Sequence, residues 1–151
     1  MMLTHEPIKN WNEMLIRFHD HCRREKLKVT PQRMAIYKAL IQTDAHPTAE
    51  EVYQAVRPNL PTISLDTVNR TLLTLAEVGA ASIVEGSGQP RRYDGGMENH
   101  QHFRCLKCGK IIDFHHQPYD NIEVPTNLGD FKVLRKTVYL EGYCRDCNQN
   151  H

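Results

Sequence analysis

Through the first half of the chain, apolar residues recur at spacings of three and four, the period of a helix with one buried face. Trp11, Met14, Leu15, Phe18 and Cys22 make the first such stripe. A second helix is expected to begin at Thr30-Pro31, an N-cap followed by a proline suited to the first helical turn, and to run through Met34, Ala35, Tyr37 and Leu40. Thr48 with Glu51 three residues on is a capping box, so a third helix starts just after His46. After the breaker "PTIS", Leu65, Val68, Leu72 and Leu75 predict the inner face of a fourth helix ending at Gly79.

The texture then changes. "AASIVEGSGQPRRYD" is a short β-prone run, a glycine-rich turn and a second run, the signature of a hairpin. Helices followed by such a wing describe a winged helix-turn-helix, in which the fourth helix enters the DNA major groove. The competing reading is a plain helical bundle with polar outer faces. Ser64 at the start of that helix, Thr67, Arg70 and Thr74 on its outward side and Asn69 on the flank are the candidate DNA-contacting residues. Beyond "DGGMEN", short strands follow in "HQHFRC", "GKIIDF" and "FKVLRKTVYLEGYC", with a helix expected around "YDNIEVPTNL" and weakened by Pro125. The fold class expected is α+β, with a winged helix-turn-helix DNA-binding domain over residues 1–94 and a smaller α/β domain over 95–151. A domain of that size is near the limit at which a core is stable without a staple or a partner.

With 40% hydrophobic and 25% charged residues, the 151-residue chain is globular in composition rather than disordered. Its apolar runs are far shorter than a membrane span, and the opening "MMLTHEPIKNWNE" lacks the apolar centre of a signal peptide. A soluble, cytoplasmic protein with no membrane partner is expected. The net charge of +1 conceals a basic stretch of Arg17, Arg23, Arg24, Lys26, Lys28, Arg33 and Lys38, opposed only by Asp20 and Glu25. That stretch suits either a solvated helix face or a phosphate contact.

Four of the five cysteines form two pairs, Cys105/Cys108 and Cys144/Cys147, in the pattern C-x2-C-x35-C-x2-C. Two such knuckles supply four thiolates, which suits a tetrahedral Zn²⁺ with no position left open for chemistry; redox disulfides are the alternative. Cys22, on an apolar stripe, reads as a buried small residue. His100 and His102 share one face of an extended segment while Cys105 points to the other, so imidazoles and thiolates belong to separate sites. His46, Asp94 and Asp113 are the other candidate ligands, and with the two histidines they make a set suited to Fe²⁺ or Mn²⁺ and acceptable to Zn²⁺. A hydrolytic water on such an ion would make an enzyme, but this ligand set leaves little room for substrate and no spare acid-base pair stands out.

"HPTAEEVY", "ISLDTVNRTLLTLAEVG", "RRYD", "HQHFRCLKCGKIIDF" and "GYCRDC" resemble the ferric-uptake-regulator family of metal-dependent repressors across nearly the whole chain, closest to its PerR-type peroxide-sensing branch. The resemblance implies a homodimeric repressor that binds double-stranded operator DNA and is not an enzyme, with no small-molecule substrate beyond peroxide and metal ions. It implies a structural Zn²⁺ on Cys105, Cys108, Cys144 and Cys147, and a regulatory Fe²⁺ or Mn²⁺ on His46, Asp94, His100, His102 and Asp113. His46 and His100 match the ligand histidines that peroxide oxidises when iron is bound. Iron-uptake members tend to have Glu at the positions of Asp94 and Asp113. The chain departs from the family at Asp66 and Asn69, where Ala and Tyr are usual, and Arg70 is typical of the iron and zinc regulators. The alternative implied is therefore a sensor of iron, manganese or zinc without an oxidative step. Asn99 and Gln101 make a third metal site, present in some members, unexpected here. His115, His116 and His151 read as surface residues.

Overall fold

The structure is a computed structural model that describes residues 10–43, 46–84, 86, 89–97, 99–133 and 135–149. The wing residues Glu85, Ser87 and Gly88, and His151, lie outside the described residues. The chain divides into two compact units with the break between Glu98 and Asn99.

The first unit holds four helices and a two-stranded sheet: α1 (Trp11–Arg24), α2 (Pro31–Gln42), α3 (Ala49–Val56), α4 (Leu65–Glu77), β1 (Ser82–Ile83) and β2 (Tyr93–Asp94). Each helix starts where a side-chain oxygen accepts an otherwise orphaned backbone N–H: Asn10 from Glu13, Thr30 from Arg33, Thr48 from Glu51 and Ser64 from Thr67. Helix α4 ends at Glu77 and is closed off by Gly79, whose φ of +79° lets the N–H groups of Ala80 and Ala81 turn back to the Leu75 carbonyl. The helices share one core of Phe18, Ile36, Tyr37, Leu40, Val52, Val68, Leu72, Leu75 and Tyr93. Phe18 and Tyr37 stack at 3.9 Å between centroids. Burying each large side chain of this kind contributes about 1.5–3 kcal/mol. Leu65 departs from the expected inner face of α4: it stands in the helix's first turn and is 43% exposed. The two short strands pair antiparallel, Ser82 with Asp94 and Ile83 with Tyr93.

The second unit is a three-stranded sheet in the order β4-β3-β5, from β3 (Gln101–Cys105), β4 (Ile111–Phe114) and β5 (Tyr139–Gly142), with short helices α5 (Gln117–Asp120) and α6 (Arg145–Asn148). β3 runs antiparallel to β4 and parallel to β5. Two expectations are corrected here. The helix around "YDNIEVPTNL" is reduced to α5, which takes in only its first two residues, Tyr119 and Asp120, and a 3-10 turn at Thr126–Leu128. Pro125 lacks an amide donor, and Ile122 and Val124 are β-branched, so the intervening stretch does not coil. The long last strand is reduced to Tyr139–Gly142, the four residues that find partners along β3.

The two units differ in how they are stabilised. Among the described residues the second unit buries only Gln101 and Cys105, and it exposes Ile122, Val124, Phe131, Val133, Tyr139 and Leu140. Gln101 is tied down through both ends of its amide, donating to Asp120 Oδ1 at 3.0 Å and accepting from the His116 N–H at 2.8 Å.

Candidate functional site

The parallel pairing of β3 with β5 decides where the cysteines meet. Parallel strands end at the same edge of a sheet, and Cys105, the last residue of β3, is the register partner of Gly142, two residues before Cys144. The first knuckle turns back into β4 through Gly109, at φ +76°, with the Gly109 N–H on the Cys105 carbonyl and the Cys105 N–H on the Lys110 carbonyl. The second is the first turn of α6, closed by the Asn148 N–H on the Cys144 carbonyl. The four Sγ atoms lie within 4.8 Å of one another. Cys108 and Cys144 are 3.8 Å apart at sulfur, and the edge of a tetrahedron with Zn–S bonds near 2.3 Å is about 3.8 Å.

The electrostatics point the same way. Hydrogen bonding from the backbone of Cys108 and then of Cys144 lowers the Cys105 thiol to about 6, and the Cys144 N–H stands 3.3 Å from its sulfur. Cys147 is pushed up to about 12, chiefly by its contact with Cys144 and then by burial. One thiol of the cluster gives up its proton readily and another holds it against the accumulating charge, an imbalance that a divalent cation removes. All four protein positions of a Zn²⁺ would be filled here, so the ion's role is structural.

The histidine and carboxylate candidates fall into two groups. In the first unit His46 lies in the segment entering α3 and Asp94 ends β2, with Nε2 and Oδ2 3.6 Å apart. The adjoining residues fix this placement. Arg92 Nη1 donates to the His46 carbonyl at 3.0 Å, the Tyr93 N–H donates to the Pro47 carbonyl at 2.9 Å, and Thr48 bridges to Arg92. The Asp94 side chain also accepts from the Gly96 N–H at 2.8 Å, and the Tyr37 hydroxyl donates to the Gly95 carbonyl at 2.8 Å. A Cβ at Gly95 would come within 2.6 Å of Ile41 Cγ2 and 3.1 Å of Leu40 Cγ, so glycine is required where this segment crosses α2. In the second unit His102 and Asp113 are direct register partners across β3 and β4, with Nε2 and Oδ1 3.2 Å apart. The His100 and His102 rings meet edge-on at 4.8 Å. Ligand atoms about 2.1 Å from a common ion stand about 3.0–3.4 Å apart at octahedral or tetrahedral angles. His102 with Asp113 fits that spacing, and His46 with Asp94 is slightly wider.

On α4, Val68, Leu72, Leu75 and Ala76 face the core, leaving Asn69 and Arg70 exposed and Thr67 and Thr74 half-buried. Ser64 is occupied as the cap, its hydroxyl donating to Thr67 Oγ1 at 2.9 Å. The sequence reading noted Asp66 as a departure from the family but missed its pairing with Arg70, whose Nη2 lies 2.7 Å from the carboxylate; the spacing of four between opposite charges on a predicted helix was the available signal. At the α1–α2 corner Arg23, Arg24, Lys26 and Lys28 are exposed, whereas Arg17 pairs with Glu13. Cys22 is fully buried, and burial raises its thiol.

A capped outward helix with a two-stranded wing, followed by a small sheet stapled by four cysteines, defines a winged-helix regulator with a zinc-type cluster. The ferric uptake regulator family profile matches residues 24–140. The peroxide-responsive repressor PerR of Staphylococcus epidermidis is 36% identical over 128 residues, covering 84% of this chain and 85% of that protein. Among solved structures, the ferric uptake regulator Fur of Helicobacter pylori aligns with a TM-score of 0.67 at 24% identity, covering 95% of this chain and 97% of the other. A zinc uptake regulator complexed with zinc and DNA aligns with a TM-score of 0.68 at 20% identity, covering 94% and 97%. The chain belongs to the ferric uptake regulator family of metal-dependent repressors. Among the described residues no helix is long and apolar enough to cross a membrane.

Proposed function

We propose that this repressor senses peroxide. It binds double-stranded operator DNA through α4 and the wing of a DNA-binding domain over residues 1–94, and dimerises through residues 95–151. His46, Asp94, His100, His102 and Asp113 hold one regulatory Fe²⁺ or Mn²⁺, and the four cysteines hold Zn²⁺. The observation that carries the peroxide reading is the pairing of an aspartate with each of two ligand histidines, His46 with Asp94 and His102 with Asp113, in a chain 36% identical to a peroxide-responsive repressor. The apolar residues exposed on the second unit support a homodimer, since that unit buries little by itself.

Fe²⁺, held by these residues, would supply the redox chemistry toward peroxide and would be regenerated over the reaction. The carboxylates of Asp94 and Asp113 would hold the His46 and His102 imidazoles in place, and His46 or His100 would be the ring that gains oxygen. The net change is one oxygen gained by the ring from H₂O₂, with water leaving, and an oxidised ring is a poor ligand. Manganese does not readily give up an electron to peroxide, so the manganese form is insensitive.

The test loads the protein separately with Fe²⁺ and Mn²⁺, treats both with peroxide, and follows DNA release together with peptide mass. Release from the iron form alone, with one added oxygen on His46 or His100, is expected. Equal release from both forms would assign sensing to cysteine oxidation and zinc loss. Arg70 favours a second reading, a metal-uptake sensor, and DNA binding that follows metal concentration with no response to peroxide would establish it.

A further inference from the structure

Helix α4 carries one cation, Arg70, against two anions, Asp66 and Glu77. A helix that gripped DNA through its phosphates would have the opposite balance, because sequence-independent affinity comes from cations that displace counterions. Exposed cations Arg23, Arg24, Lys26 and Lys28 cluster instead at the α1–α2 corner, and the one cation on α4 is paired at 2.7 Å with Asp66 while both side chains remain largely exposed. An exposed pair one helical turn apart adds little to stability. Its effect falls on what the outward face of α4 can accept.

The pair presents a donor beside an acceptor. Arg70 has five N–H donors in a planar fork, and holding one edge against Asp66 leaves another edge directed outward. In the major groove guanine offers two acceptors, N7 and O6, and its cytosine offers an N4 amine donor. Arg70 matches the first and Asp66 the second. An A·T pair instead sets the thymine O4 and methyl group against the carboxylate, leaving an anion unpartnered in a partly dehydrated interface. We infer that Asp66 is a specificity-determining residue: paired with Arg70, it makes α4 require a G·C base pair at the position the two side chains face. This rests on α4 being the helix that contacts DNA.

The test uses full-length Mn²⁺-loaded protein and a duplex library randomised over about two helical turns, comparing the sequences bound by wild type, D66A, D66N and R70A. Wild type should enrich sites with a G·C pair that R70A no longer selects. D66A should bind bulk duplex at least as tightly, because a negative charge is gone, while its preference for G·C at that position falls about ten-fold. D66N should shift the position toward A·T, since an amide matches adenine N7 and N6. Wild-type enrichment with the same base preference in D66A and D66N would overturn the inference alone. Failure of wild type to enrich any sequence would overturn the DNA reading beneath it. Both residues are exposed, and D66N preserves the shape of the side chain should D66A fold poorly.

Discussion

Tyr37 and Tyr93 are both buried in the first unit's core, but the Tyr37 hydroxyl donates to the Gly95 carbonyl whereas the Tyr93 hydroxyl, among the described residues, is buried with no hydrogen-bond partner. The same deletion should therefore have opposite effects. Tyr37→Phe strands a buried carbonyl and should cost about 1–2 kcal/mol, while Tyr93→Phe removes an unsatisfied group and should be neutral or stabilising. Urea unfolding of the two variants decides this. Burial, followed by the nearby Asp94 charge, raises the Tyr37 hydroxyl well above its ordinary value, so it stays a neutral donor at any working pH. Cys22 makes a further contrast at this scale. Its buried, raised thiol should resist iodoacetamide in the native zinc-loaded protein, and chelating the zinc should expose the four cluster cysteines to alkylation while Cys22 stays unmodified.

At the scale of the element, α4 depends on its first turn, where Ser64 accepts the Thr67 N–H at 3.0 Å. Ser64→Ala should destabilise the first unit by about 1 kcal/mol in thermal or urea unfolding, and Ser64→Gly by less. In the second unit, His115 and then Gln101 hold the Asp120 carboxyl below its ordinary value through hydrogen bonds, Asp120 Oδ2 lying 2.7 Å from His115 Nε2. A carboxylate depressed in the folded state contributes stability that is present above its unfolded value near 4 and is lost as pH falls through the folded value. Asp120→Asn should therefore lower stability at neutral pH and leave it little changed below the folded value, so that the acid limb flattens. Helix starts were legible in the sequence because they are local: Thr30 and Thr48 bond backbone only three residues away. The candidate metal-ligand types were legible for the same reason, through the spacing of the cysteines and the alternation of His100 and His102. The limits of α5 and β5 were not, because they are set by partners far along the chain: Gln101 fixes Asp120, and β3 selects four residues from the long run before Cys144. Asp66 was noticed only as a departure from the family, because its pairing shows once Arg70 bends back to meet it.

For the molecule as a whole, the well-packed first unit and the nearly coreless second should respond differently to loss of zinc. A structural zinc contributes on the order of 10 kcal/mol in small domains. Chelation, or Cys144→Ser, should therefore unfold the second unit and dissociate a dimer while leaving the helical signal of the first largely intact, as circular dichroism and ultracentrifugation would show. The parallel join of β3 to β5 carries a consequence for time as well as for stability. The two knuckles lie 36 residues apart, measured from Cys108 to Cys144, and meet only when β5 is docked along β3. An ion held by both cannot be handed over one knuckle at a time without parting the strands. Zinc turnover should then keep pace with strand opening, so that radioactive zinc enters the protein no faster than deuterium replaces the amide protons of Leu140 and Glu141. The cell's free zinc could rise and fall many times within the life of one such molecule and leave its resident ion unchanged.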